Sequence, residues 1–145
     1  MQDTIMQGLI KSPIFLAPFL AWIAAQLIKT LIFAVKYKRF DFRGLLKTGG
    51  MPSAHSSGTV ALTTVVGRIE GWTSPLFIVT LVFTFIIMND AAGVRRSAGQ
   101  QARVLNKMLE DGKIDAERVK EFLGHTPNEV ILGGILGAII GILLT

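Results

Sequence analysis

Long uncharged apolar runs alternate along this chain with short, densely charged segments. The first run extends from Pro13 to Val35 and holds 23 residues. At about 1.5 Å per residue that makes roughly 34 Å of helix, enough for a bilayer core. Ser12-Pro13 reads as an N-cap followed by proline at the first helical position. Pro18 predicts a bend or a later start, and Lys29 interrupts the run where its stem can snorkel toward the basic side. A second helix is read from about Pro52 to Ile69. Its Ser53, Ser56, Ser57, Thr59, Thr63 and Thr64 predict packing against protein rather than lipid. Ser74-Pro75 opens a third run, uncharged through Met88. Its 14 residues are too few to span, so the helix is expected to continue through Asn89-Asp90-Ala91-Ala92. β-branched residues in this run suit a strand, but an open strand in lipid would leave its backbone unpaired. The last run starts near Thr126-Pro127 and continues through VILGGILGAIIGILL.

Residues 93–124 are the longest polar stretch. Val104, Leu105, Met108 and Leu109 share one helical stripe that Asp111-Gly112 breaks, and Asp115 suits the cap of a further short helix. Such pieces fit the membrane surface or the roof of a bundle. Gly133, Gly137 and Gly141 recur every four residues and suit close helix packing, inside the chain or in a homodimer. The expectation is an all-α, polytopic membrane bundle of about four transmembrane helices with short interfacial helices. Residues 1–145 form a single domain.

Composition changes this picture little. Half the residues are apolar and mean hydropathy is +0.52, values that some water-soluble chains reach. The formal charge of +5 matters through its placement. Five Lys or Arg residues fall in 36–47 and seven in 93–124, against Lys11 and Arg68 on the other side. Basic residues flanking apolar spans point to headgroups and the positive-inside rule, not to nucleic acid. The loops around 36–51 and 89–125 are therefore expected on the cytoplasmic side of a cell (inner) membrane, with both termini outside. Cysteine is absent, which excludes disulfides and thiolate chemistry. Met1–Gly8 lacks the basic start of a cleavable signal peptide.

Both histidines fall at the side where the second and fourth runs begin. KTGGMPSAHSS carries Lys47, Gly49, Gly50, Ser53 and His55; NDAAGVRRSAGQQ carries Asp90, Arg95 and Arg96; GHTPNE carries His125 and Glu129. Phosphate chemistry needs a charge clamp, a nucleophile and a proton donor for the leaving oxygen. Arginines give bidentate donors, helix starts give free amides, and two histidines can divide nucleophile and acid roles. Each group also has a simpler reading. Ser53 suits an N-cap, and Asp90 the end of a helix. Gly49 and Gly50 close a loop, and Thr126-Pro127-Asn128-Glu129 forms a capping box. No close cluster of ligand types suggests a metal, and no cofactor is implied.

These three segments resemble the divergent PAP2 family, distantly related to type 2 phosphatidic acid phosphatases and vanadium-dependent haloperoxidases. The likeness runs from the basic segment through the last helix. The wider superfamily places lysine and arginine seven positions apart in its first motif, as Lys36 and Arg43 are here, with Gly44 replacing the proline that follows. Its PSGH motif is similar to Pro52-Ser53-Ala54-His55, and its histidine–aspartate pair to His125 and Glu129. The resemblance implies that His125 attacks phosphorus, Glu129 orients its ring, and His55 protonates the leaving group and later activates water. Lys47, Arg43 and Ser53 would contact phosphate, with Asp90, Gly49 and Gly50 behind them. Val119 stands where the superfamily has a clamping arginine, so Arg95 or Arg96 would supply that charge from another loop. The implied activity is a metal-independent phosphatase or pyrophosphatase acting on a phosphorylated membrane lipid. The alternative is a non-catalytic protein that binds lipid phosphate. The superfamily's usual core has six helices, so a second copy would complete a four-span site.

Overall fold

A computed structural model describes residues 7, 8, 10–38, 50–110, 119 and 124–145, leaving out the side chains of Tyr37 and Arg95. Every element among them is helical. Helix α1 covers Pro13–Tyr37, α2 Ala54–Glu70, α3 Pro75–Ala92, α4 Val94–Glu110 and α5 Pro127–Leu143.

Local chemistry sets the boundaries. Ser12 stands before α1 in extended backbone with Pro13 behind it, and Pro18 is accommodated inside the helix, which runs on to Lys38 in the left-handed region. Ser53 caps α2 by accepting from the Ser56 amide, and Gly71, at φ 95°, ends it. The Ser74 hydroxyl accepts from the Phe77 amide at the start of α3 (3.2 Å). The third helix does continue past Met88 through Ala92, as its 14 uncharged residues require; Gly93 then separates it from α4. Thr126 and Glu129 form the full capping box of α5.

Helix α2 is the hub, packing most extensively on α5, then on α1 and α3. Helices α2 and α5 lie side by side and point the same way. A methyl group added at Gly133 would overlap the Ser53 carbonyl, one at Gly137 the Ser57 carbonyl, and one at Gly141 the side chain of Thr64. The glycine series is therefore buried against α2 within one chain. Of the two packings left open for Gly133, Gly137 and Gly141, inside the chain or in a homodimer, the structure shows the one inside the chain. Helix α3 runs antiparallel to α2 and is joined to it by hydroxyls. Thr63 and Thr84 share a hydrogen bond (2.8 Å), Thr63 also donates to the Thr80 carbonyl, and Thr84 to that of Thr59. Helix α1 crosses the other side of α2, where the Ser57 hydroxyl donates to the Ala21 carbonyl (3.2 Å).

The interior holds small and hydroxylated side chains: Ala17, Ala21 and Ala61, with Ser53, Ser56, Ser57 and Thr63. Large apolar residues line the outside, among them Leu27 and Leu31 of α1, Phe83 and Phe85 of α3, and Ile135 and Ile139 of α5. Water would disfavour that distribution, whereas lipid tails match it, because close backbone approach and interhelical hydrogen bonds then hold helices together. Two helical runs, Pro13–Lys36 and the one beginning at Pro75, are long and apolar enough to cross a membrane. Helix α5, with 17 residues, is apolar but shorter. Helix α2 has the same length and carries the serines and threonines, so two of the four expected spans fall short of that length, α5 while still apolar.

Candidate functional site

Where α2 and α5 begin and α3 ends, three chain segments are tied together through backbone. The Ser53 amide donates to the Glu129 carbonyl (2.9 Å), and the His125 amide donates to the Ala91 carbonyl (2.8 Å). These bonds hold the segment before α5 against both neighbours, so the position of His125 is set by α2 and α3 as much as by its own helix. Two helix starts at one place also bring the positive ends of two macrodipoles together, a setting that favours anions.

The Glu129 carboxylate connects the cap to the candidate chemistry. Its Oε2 accepts from the Thr126 amide (3.0 Å) and faces His125 Nδ1 (3.1 Å). One oxygen thus closes the capping box and orients the imidazole, although His125 lies outside the helix. The two readings of GHTPNE, helix cap and histidine–carboxylate pair, coexist. His125 is buried, with 5% of its surface exposed. His55, in the first turn of α2, is exposed, and the two ring centres stand 6.2 Å apart at 63°.

Burial holds the His125 pKa below the ordinary imidazole value. The hydrogen bond to Glu129 opposes that shift, the positive charge of Lys29 adds to it, and the Glu129 charge and a hydrogen bond to the Gly50 backbone oppose it. Burial prevails, so the ring is biased toward its neutral form near neutral pH. With Nδ1 protonated toward Glu129, the lone pair sits on Nε2, the form a nucleophile requires.

The structure brings His55, His125, Glu129, Ser53 and Gly50 to one place. Gly50 has φ 87° and precedes a cis Met51–Pro52 bond. Ser53 has no exposed surface, and its hydroxyl oxygen accepts from the amide and the hydroxyl of Ser56. It serves first as the cap of α2. Asp90 is half-buried beside Ala91, near the end of α3. Arg96 is exposed in the first turn of α4, and Arg95 adjoins it there in sequence. Arg43, Lys47 and Gly49 lie outside the described residues, as do the neighbours of Val119. Val119 itself is held by Asn106, whose side chain bonds both its amide (2.8 Å) and its carbonyl (2.7 Å).

Lys29 was not expected here. Its place inside the first run suggests a stem snorkelling toward the basic side, but its side chain lies against Gly50 and its charge acts on Glu129 and His125. The available signal was a lone charge inside a 23-residue apolar run, a pattern that favours a functional role over a topological one. Among the described residues no group of His, Asp and Glu could hold a metal ion.

The Divergent PAP2 family matches residues 10–140 of the chain. The chain is also similar to the "Uncharacterized membrane protein YuiD" of Bacillus subtilis (strain 168), at 39% identity over 89% of this chain and 91% of that protein. That likeness and the two long apolar runs support membrane association. No solved structure matches the chain.

Proposed function

This chain belongs to the Divergent PAP2 family, and from that membership we propose that it is a metal-independent phosphatase of a phosphorylated membrane lipid, working through a histidine–phosphate intermediate. The observation that carries the reading is the His125 ring, held at Nδ1 by Glu129 and facing His55 across 6.2 Å. In the first step the Nε2 lone pair of His125 attacks phosphorus, and the bond from phosphorus to the lipid oxygen breaks. Protonated His55 gives its proton to that oxygen. In the second step neutral His55 takes a proton from water, the water oxygen attacks phosphorus, and the P–N bond returns its electron pair to His125. The products are the dephosphorylated lipid and inorganic phosphate.

The spacing of the rings adds a condition. Attack at about 3 Å and proton transfer across about 3 Å, with a phosphoryl group between, ask for roughly 8 Å between ring centres. The rings stand closer than that, so phosphate entry must move the exposed His55 outward.

A lipid substrate is favoured by the surroundings. A groove of about 430 Å³ between α1 and α2 is walled by Pro18, Phe19, Trp22 and Leu62, with His55 also in its lining. A hydrocarbon chain lying there would place its phosphate beside that histidine. We further infer about four membrane crossings, with the histidines on the cytoplasmic side and both termini outside. The asymmetry of basic residues supports this orientation.

Purified protein should release phosphate from a panel of lipid phosphates, and His125→Ala and His55→Ala should each lower the rate at least about 100-fold while the fold persists. Absence of release across the panel, with binding retained, would instead give a non-catalytic lipid-phosphate binder.

A further inference from the structure

Lys29 stands inside α1, eight residues before its last residue, Tyr37. That remainder of helix is about 12 Å long, and side chains on a helix lean toward its N-terminus. Reaching the end of its own helix is therefore a poor explanation for where its side chain lies. A Cβ built at Gly50 would stand 3.4 Å from both Cγ and Cδ of Lys29, so the lysine stem runs along the face of that glycine. Gly50 stands three residues before Ser53, whose amide donates to the Glu129 carbonyl, and its backbone acts on the His125 ring. The lysine thus enters the candidate site from α1, whereas His55 enters from α2 and His125 and Glu129 from the start of α5.

The charges at the site leave a role for it. A phosphate monoester brings up to two negative charges toward a space that already contains the Glu129 carboxylate. The oxygen of Glu129 that approaches His125 is also bonded to the Thr126 amide, so neutralising a lysine is not its sole work. Among the described residues, Lys29 is the one cation whose charge is felt at His125. The position that carries the superfamily's clamping arginine is Val119 here, an apolar residue. A cation in this place offsets the charge of an incoming phosphate and remains available to the trigonal phosphoryl group during transfer.

We propose that Lys29 is a phosphate-binding residue of this site, its ammonium donating to a non-bridging oxygen of the substrate phosphate. The proposal rests on the phosphoryl-transfer reading above and adds a ligand that this reading lacks. A purely structural Lys29, present as a counter-ion of Glu129, would make a different prediction. Its loss would lower the amount of folded protein without altering the phosphate affinity of the folded fraction.

The test uses the full chain in detergent, with Lys29→Met, Lys29→Gln and Lys29→Arg. A short-chain lipid phosphate serves as substrate and inorganic phosphate as competitor. Phosphate binding is also followed directly by ³¹P NMR, which needs no turnover. Lys29→Met and Lys29→Gln should each weaken inorganic phosphate at least tenfold and raise KM, while Lys29→Arg stays within about threefold of wild type. If one neutral variant fails to fold, the other decides. Wild-type phosphate affinity in a folded neutral variant overturns the assignment of Lys29 and leaves the phosphoryl-transfer reading standing. Wild-type protein that neither binds phosphate nor releases it overturns both.

Discussion

At the scale of single residues, Glu129 and His125 carry the account, and the roles of Glu129 can be separated. Glutamine also completes a capping box, so Glu129→Gln should keep α5 capped, with a stability change below about 1 kcal/mol. It removes the carboxylate that holds the His125 tautomer, and kcat should fall at least about 100-fold. Thermal unfolding beside phosphate release would show this split; a parallel loss of both would mean that the pair is structural. The pKa direction gives a second prediction. His125 titrates below its unfolded value of about 6.5, so the unfolded chain binds the proton first as pH falls. The stability that the neutral ring contributes is therefore present above about pH 6.5 and is lost as pH drops toward the folded value. Wild type should lose more stability between pH 7.5 and pH 5 than His125→Gln, and equal losses would contradict the assignment. Sequence pattern located both histidines and named Glu129. It could not show one carboxylate oxygen serving cap and ring together, because that depends on the turn before Thr126. Nor could it aim the Lys29 stem, which depends on where Gly50 lies.

At the scale of elements, close approach between α2 and α5 sets the site, because the starts of these two helices bring His55 to His125. Glycine is required where a methyl group would meet backbone. Gly137→Ala would drive a methyl group into the Ser57 carbonyl and should destabilise by about 1–3 kcal/mol or more. Gly134 is the control: a Cβ there meets side chains of Val60 and Met88 at 3.6 and 3.7 Å, ordinary contact distances. Gly134→Ala should be neutral, or stabilising by up to about 1 kcal/mol. Unfolding midpoints in detergent would compare the two, and equal tolerance would contradict the packing of α5 on α2. The four-residue spacing of Gly133, Gly137 and Gly141 marked a contact face in the sequence. It carried no information on which helix fills that face, since a partner in the same chain and one in another copy impose the same spacing. Helix starts were more legible, because Ser12-Pro13, Ser74-Pro75 and Thr126-Pro127 are local signals.

At the scale of the whole molecule, small and hydroxylated residues inside and large apolar residues outside describe a bundle suited to lipid. The sequence showed apolar runs, but it did not show that Leu31 and Phe85 face outward while Ala17 and Ser57 face inward. Topology can be tested in a chain that lacks cysteine. Thr73→Cys, in the turn between α2 and α3, and Asn128→Cys, at the start of α5, are both at exposed positions. A membrane-impermeant thiol reagent should reach them from opposite sides, Asn128→Cys only from the cytoplasm; labelling of both from one side would dismantle the arrangement. Transfer of a phosphoryl group to His125 can be observed more directly. A substrate whose leaving group needs no proton can phosphorylate His125 even in His55→Ala, while the loss of His55 slows attack by water. Brief exposure of that variant to a labelled lipid pyrophosphate should leave an acid-labile phosphate on His125, absent from the His55→Ala/His125→Ala double variant. Label on any other residue, or phosphate release by His125→Ala at the wild-type rate, would contradict it.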